Sequence, residues 1–383
     1  MIFKPEQLEV QKAARAFVAK YIIPYAAEYD RTGEFPSHLL GAAKESKIFA
    51  MAIPKKYGGL EYDSLTQALV CEEWGYGCAG MGTTLGASML GTDPLLVVGT
   101  PEQKKMYFAP IVSGGLAAFG LTEPGAGSDA GGVKTTAVHS GNEYILNGTK
   151  CFITNGAYAS VYLIVASTDP SKGLKGLSAF IVEKGTPGFN VGTAEHKLGI
   201  RSSNTVELHF KDAHIPVSNL VGAEGDGMKI AMLTLDMARP PVACAAVGIA
   251  RRAVDECLKH LTERFTAKYP PPQTMQFKLA EMHAQVEAAR QMAHHAMELR
   301  DTTTSYSMES AISKLVGGDM VMSVTTQAVS LMGSYGYTST IEKLMRDAKI
   351  MQIYEGTNQI QRLVIARGLL TQAAQRMQKG GKS

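Results

Sequence analysis

The sequence predicts an α+β protein. An N-terminal α-helical domain covers residues 1–116, a middle β-barrel or sandwich domain 117–227, and a C-terminal four-helix bundle 228–383. Three observations carry this. Apolar residues recur at helical spacing in the first and last thirds and at period two in the middle third. Proline and glycine signals punctuate the segments. A chain of 383 residues, 45% hydrophobic and 19% charged, has the length for two or three domains and the composition of a globular protein.

In the first zone Pro5 suits an opening helical turn, and Leu8, Ala14, Phe17, Val18 and Ile22 follow at helical spacing. Pro24 kinks or ends that helix, and Phe35-Pro36-Ser37 opens another over 38–43. Tyr57-Gly58-Gly59 is a turn, and 64–74 is helical again. In the middle zone Asn147-Gly148, between Tyr144-Ile145-Leu146 and Cys151-Phe152-Ile153, predicts a β-hairpin. Segments 161–166 and 177–182 are short apolar strands. In 205–210, Val206, Leu208 and Phe210 share one face, while Thr205, Glu207 and His209 share the other. The third zone has helical stretches at 247–261, 275–299, 308–332 and 358–370, broken by Pro270-Pro271-Pro272. The polar end, 378–383, is expected to fray.

With 38 basic against 35 acidic residues, the net charge of +3 supplies no field for nucleic acid. No apolar run approaches the roughly 18 residues that suggest a membrane span. The helical pattern begins at once, without a charged-then-apolar leader, so no secretory signal is expected. Five scattered cysteines with no CxxC pair argue against a disulfide framework or a structural zinc. The expectation is a cytoplasmic protein without a metal.

Gly125-Ala126-Gly127-Ser128-Asp129-Ala130 fits the dinucleotide pattern GxGxxG/A as a string. That pattern needs a strand before it and a helix after it. Here Val133 to Val138 is strand-like, so the Rossmann reading is rejected. What remains is a plain β-turn, or a loop whose backbone N–H groups and Thr122 and Ser128 hydroxyls approach a ligand. Glu355 follows the apolar Ile350-Met351-Gln352-Ile353 and precedes Gly356, which can end a helix. Asn358 with Gln361 can cap the next helix. A carboxylate at such a junction is either a helix-end charge or a partly buried general base with a raised pKa.

The segment Gly120-Leu121-Thr122-Glu123-Pro124-Gly125-Ala126-Gly127-Ser128-Asp129 closely resembles the flavin-loop signature of the acyl-CoA dehydrogenase family. The resemblance continues in Ile53-Pro54-x-x-Tyr57-Gly58-Gly59 and in Lys197-Leu198-Gly199-Ile200-Arg201-Ser202-Ser203-Asn204-Thr205. Asp236-Met237-Ala238-Arg239-Pro240 and the run from Glu342 to Arg362 look most like medium- and short-chain members. The resemblance implies FAD-dependent dehydrogenation of an acyl-CoA thioester. Glu355 would take the α-proton while the β-hydrogen leaves as hydride to the flavin. The Glu355 backbone N–H, with a flavin hydroxyl, would hold the thioester oxygen. It assigns flavin contacts to Phe119, Leu121, Thr122, Gly127, Ser128, Phe152, Ile153, Thr154, Thr357 and Gln359. A further set is Arg264, Phe265, Gln273 and Gly333. Ser128, Asp236, Arg239 and Gly356 match positions that hold the coenzyme A part. An electron-transfer flavoprotein as acceptor and a homotetramer are also implied.

The sequence departs from the family in three places. Arg-x-x-Phe-Gly reads Thr262-Glu263-Arg264-Phe265-Thr266, which leaves Arg264, two residues on, as the substitute. Gln-x-x-Gly-Gly-x-Gly reads Ser330-Leu331-Met332-Gly333-Ser334-Tyr335-Gly336. The link from Gly336 to Glu342 is about two residues shorter than in medium-chain members. Asp93 is the only charge in the small, apolar stretch 81–98. Followed by Pro94, it reads as a helix N-cap. By resemblance this helix floors the acyl pocket, and Asp93 is then a second carboxylate serving an alicyclic acyl-CoA such as a cyclohexane- or cyclohexene-carboxyl thioester. No arginine accompanies it, which disfavours a dicarboxylic substrate. The alternatives are an oxidase of the same fold and a non-enzymatic flavin- or acyl-CoA-binding protein.

Overall fold

A computed structural model describes residues 2–380; the rest of the polar end, 381–383, lies outside the described residues. Helices α1 (Pro5–Tyr21), α2 (Ala26–Thr32), α3 (His38–Glu45), α4 (Ser64–Gly77), α5 (Ala79–Gly86), α6 (Met89–Val98) and α7 (Pro101–Val112) come first. Strands follow: β1 (Leu116–Gly120), β2 (Thr136–Ser140), β3 (Glu143–Thr154), β4 (Ala159–Ser167), β5 (Leu177–Glu183), β6 (Phe189–Ala194), β7 (Thr205–Pro216) and β8 (Leu220–Val221). The chain closes with α8 (Gly227–Arg264), α9 (Gln273–Thr302), α10 (Ser307–Met332), α11 (Ser334–Thr338), α12 (Thr340–Ala348) and α13 (Asn358–Gly380). The helical, sheet and helical order is the one expected. Those three zones divide the chain by element type, whereas its compact units group the elements differently. One unit comprises Met1–Ala14, Ser64–Ala79 and Arg239–Ser383; the other comprises Arg15–Asp63 and Gly80–Ala238.

In the second unit the strands form one sheet, ordered β6-β7-β3-β2-β4-β5-β8, with β1 parallel to β4. Val161 to Ala166 of β4 are buried on both faces, as a central strand requires. Val206, Leu208 and Phe210 of β7 point into the core with Tyr144, Leu146 and Phe180. The expected hairpin at Asn147-Gly148 is not there. β3 runs straight through both residues, and the tight turn joins Ser140 to Glu143 around Gly141 at φ 63°. The reason is conformational. A two-residue hairpin of this type needs both central residues at positive φ, and only Gly148 has it, at 149°. The register between β3 and β7 slips there instead, a bulge in which the Asn147 amide exchanges hydrogen bonds with Asp212. A second slip lies between Lys150 and Ile153.

In the first unit α10 packs on α9, α12 and α13. The helix expected over 247–261 begins far earlier, at Gly227, and passes through Pro240 and Pro241. Each interior proline costs about 3 kcal/mol, but Ala243, Cys244, Ala246, Val247, Ile249 and Ala250 are all fully buried, and that packing holds the helix. By length and composition alone α8 would also suffice for a membrane span; more than half of its most apolar window is buried within the fold.

Candidate active site

Between α12 and α13 the chain passes through a 3-10 turn (Lys349–Gln352) and a non-helical corner, where Glu355 stands. Glu355 and Gly356 are both left-handed, at φ 54° and 85°. That conformation is costly for a residue with a side chain and persists only where surroundings impose it. They do so here. Gln361 Nε2 donates to the Glu355 carbonyl at 3.1 Å and to the Gly356 carbonyl at 2.8 Å. Lys314 Nζ, from α10, donates to the Gly356 carbonyl at 2.7 Å and to Asn358 Oδ1 at 3.0 Å. Asn358 Nδ2 in turn donates to Asp319 Oδ1, which also accepts from Gln352, while Arg362 donates to the other Asp319 oxygen. A side chain at 356 would collide with Gln361 Nε2, 2.8 Å from where its Cβ would stand, so the amide that pins the corner requires glycine there.

Asn358 is not the expected cap. The Thr357 hydroxyl accepts from Ile360 N at 3.3 Å and caps α13, which frees Asn358 and Gln361 to turn back onto the corner.

Burial raises the Glu355 carboxyl to about 7, against the opposing pull of the Lys314 and Arg239 cations. Burial likewise brings the Lys314 ammonium down to about 8, with Glu355 holding it up. Arg239, on α8, is 2% exposed. Gln359 lies exposed on the first turn of α13. Arg264 ends α8, exposed, with Phe265 half-buried beside it, and Gln273 opens α9. His260 stacks on Tyr335, ring centroids 4.9 Å apart, so the last turns of α8 meet the α10–α11 junction where Gly333 lies at φ 60°.

In the other unit the flavin-loop residues gather at the end of β1. Cys151 N donates to the Thr122 carbonyl, which sets Thr122 beside the second bulge of β3. That bulge places Phe152 at φ 58° with its side chain turned outward, 63% exposed, between the buried Cys151 and Ile153. Leu121 is a core residue and Phe119 packs against the same cluster, while Gly127 and Ser128 are exposed and Thr154 is half-buried. Asp236 is half-buried near the start of α8.

Asp93 is not the expected cap either. The N-cap position of α6 is Ser88, and Asp93 lies inside the helix with Pro94 after it, 2% exposed.

Two lysines escaped the sequence reading. Lys150 is fully buried and bonds Glu123 Oε1 at 2.7 Å and the Leu121 carbonyl at 3.1 Å. Glu123 also accepts from the Lys134 and Thr135 N–H groups, so this pair shapes the glycine loop. Lys314 is the second. Each carried a signal. Lys150 keeps the even parity of the buried Tyr144 and Leu146, and Lys314 shares helical spacing with the buried Ala311, Gly318 and Val321. A charge on the core side of an element asks what it serves.

Three family models match the chain: the N-terminal domain of acyl-CoA dehydrogenase at residues 4–115, the middle domain at 118–213 and the C-terminal domain at 225–370. The chain belongs to the acyl-CoA dehydrogenase family. An acyl-CoA dehydrogenase of Bacillus subtilis (strain 168) is 42% identical over 371 residues, covering 95% of this chain and 98% of that one. Butyryl-CoA dehydrogenase from Megasphaera elsdenii superposes with a TM-score of 0.94 at 41% identity, over 97% of this chain and 99% of the other. A chain solved in work on the electron transferring flavoprotein of Acidaminococcus fermentans and flavin-based electron bifurcation gives a TM-score of 0.94 at 43% identity, over 97% and 99%. This acyl-CoA dehydrogenase is an oxidoreductase and an FAD-dependent flavoprotein.

The residues fit that cofactor. An aromatic ring held outward by a strained backbone, with no other ring packed on it among the described residues, is a face for a planar ligand. The Thr122 and Thr154 hydroxyls flank it and make no hydrogen bond within the described residues.

Proposed function

We propose that the chain dehydrogenates an acyl-CoA thioester at its α and β carbons, with Glu355 as the base that takes the α-proton. The observation that carries this is the Glu355 corner: a carboxyl raised to about 7 by burial, near the pH at which a base both accepts a proton and gives it up. The left-handed backbone also leaves the Glu355 N–H without an acceptor among the described residues. A donor so placed suits the thioester oxygen, whose charge grows as the α-proton departs. The acceptor for the β-carbon's hydride would be supplied by FAD when bound. In this reading Phe152, Thr122 and Thr154 would hold its ring system, with Phe119, Leu121, Gly127, Ser128 and Ile153 from the same unit; Thr357 and Gln359 are the flavin contacts that the family resemblance assigns in the other unit. Leu121 and Ile153 would contribute backbone alone, because their side chains are in the core. Arg264, Phe265, Gln273 and Gly333 are the second set of flavin contacts, and the family resemblance assigns coenzyme A contacts to Ser128 and Asp236 in one unit and to Arg239 and Gly356 in the other.

Asp93 is the second carboxylate of the reading. Asp93 lies inside α6, 2% exposed, rather than at its N-cap, so the cap role no longer accounts for it. It fits an alicyclic acyl group, where a ring offers a further position for deprotonation. The proposed electron acceptor is an electron-transfer flavoprotein, supported by the likeness to the Acidaminococcus chain. We also propose a cytoplasmic homotetramer; Leu363, Leu369 and Leu370 of α13 are exposed apolar surface for a second copy. Light scattering of the flavin-loaded protein tests the assembly.

The deciding experiment is anaerobic bleaching of the purified yellow protein by butyryl-CoA, cyclohexane-carboxyl-CoA and cyclohexene-carboxyl-CoA. Bleaching by at least one supports the reaction, and no bleaching by any acyl thioester overturns it. Hydrogen peroxide formed in air would mark an oxidase instead.

A further inference from the structure

Lys314 poses a physical question. Its ammonium is fully buried, and burying such a charge costs several kcal/mol unless partners offset it. Yet both groups it bonds are neutral: the Gly356 carbonyl and the Asn358 side-chain oxygen. No carboxylate lies within ion-pair distance of it among the described residues. The nearest counter-charges act through space, from Glu355 and Asp319. A cation kept in the core without a bonded anion is serving a group it does not touch.

The Gly356 carbonyl is the link. It closes the left-handed pair that aims Glu355, and Lys314 and Gln361 both donate to it. Every other charge near the corner has its own place. Arg239 of α8 also acts on Glu355, and Asp319 on α10 is held by Arg362 of α13 and by the Gln352 and Asn358 amides. Lys314 is both bonded to the corner and within the field of its carboxylate.

We propose that Lys314 is a positioning residue for Glu355: its buried ammonium pins the corner through the Gly356 carbonyl and supplies the positive field that keeps Glu355 a usable base at neutral pH. The inference rests on the reading of Glu355 as the base. The coupling is reciprocal: Lys314 favours the charged carboxylate, and the charged carboxylate favours the protonated lysine.

The test is the pH dependence of kcat/KM for the flavin-loaded enzyme and its Lys314→Met and Lys314→Arg variants, on whichever acyl thioester bleaches the native protein. Lys314→Met should move the acidic limb upward by about one pH unit, so that kcat/KM falls about tenfold below the limb and recovers much of the loss at high pH. Lys314→Arg keeps the charge and should leave the limb in place even if turnover falls. A limb unmoved in Lys314→Met overturns the field, and a native kcat/KM at all pH values overturns the role entirely. If Lys314→Met fails to retain flavin, Lys314→Gln, which keeps a donor and loses the charge, is read in its place. Glu355→Gln separates the two claims. If that variant keeps native turnover, the base assignment itself is wrong; if it is inactive while the Lys314 limb stays put, only the present inference falls.

Discussion

Two glutamates in the same helical unit lie under opposite pressures. Burial acts to raise both Glu355 and Glu72. At Glu72, on α4, it is overcome: His294, Arg290 and Arg251 converge on the carboxylate and hold it at about 2. Arg251 bonds Oε1 directly, Arg290 approaches it at 3.1 Å, and His294 Nε2 stands 3.3 Å from Oε2. At Glu355 two cations also lie nearby, but neither bonds the carboxylate, and burial wins, to about 7. Contact makes the difference. Bonded cations lock Glu72 as an anion that ties α4 to α8 and α9. Cations held one step away, on a backbone carbonyl in the case of Lys314, leave Glu355 free to take a proton.

The sharpest way to break that comparison is Glu355→Gln. The amide keeps the shape and cannot accept the α-proton, so turnover should fall by about a hundredfold to ten-thousandfold while binding changes little. The flavin absorbance of the purified variant checks that the cofactor stays. Native turnover would end the assignment.

Glu72→Gln should do the reverse, with a large loss in stability and little in chemistry. Removing Glu72 takes the shared buried anion from Arg251 and Arg290, but Arg251 keeps Glu73 and Arg290 keeps Glu287, so the cost falls at the low end for a broken buried pair, about 3 kcal/mol. The pH dependence follows from the sign. The folded Glu72 titrates below its ordinary value of 4.5, so its contribution is present above that value and is lost as pH falls toward 2. Thermal unfolding of native protein and variant should therefore converge as the medium is acidified. Curves that stay equally far apart would show that the cluster's charge is not what stabilises it.

How much of this was legible beforehand depends on the kind of information. The order of helices and strands was readable, because the signals are local: β7 and α10 obey their periodicities, and β4 reads as the continuous apolar run of a central strand. The hairpin at Asn147-Gly148 and the cap at Asp93 were misread for one shared reason. Dipeptide signals state what a residue pair prefers, and neighbouring structure decides: a twelve-residue strand absorbs Gly148 as a bulge, and α6 carries Asp93 and Pro94 in its interior. Glu355 was singled out through its motif, not its periodicity. Lys314 stands forty-one positions before it in sequence, a separation no local pattern bridges, and only the folded unit brings its ammonium to the Gly356 carbonyl.

Asp93→Asn assigns a third carboxylate to one side of the comparison or the other. Asparagine keeps nearly the same volume, replaces one acceptor oxygen with an NH2 donor and removes the charge. A base or orienting group for a ring substrate predicts a loss of turnover of about a hundredfold on cyclohexane- and cyclohexene-carboxyl-CoA, with a small loss on butyryl-CoA. A charge held only for the fold predicts lowered thermal stability and equal, small losses on all three thioesters. The second outcome would remove Asp93 from the catalytic reading.

The smallest effect is a stability that moves the other way. A carboxyl whose folded pKa is raised to about 7 costs nothing below 4.5; stability falls as pH rises from 4.5 through 7, while the unfolded chain ionises and the folded group does not, and then levels off. Glu355→Gln removes that burden. At pH 4 the carboxyl is mostly protonated in both the folded and the unfolded chain, so variant and native protein should unfold at nearly the same temperature. At pH 8 the variant should be the more stable, by on the order of 1–2 kcal/mol, because a neutral amide replaces a poorly solvated anion. Lys314 and Arg239 temper the gain, since both lose an anion they favour. The measurement is a pair of melting curves with flavin bound, at each pH. A Glu355→Gln variant less stable at pH 8 would mean that the two cations hold this carboxylate as firmly as Arg251 and Arg290 hold Glu72, and the contrast between the two sites would vanish.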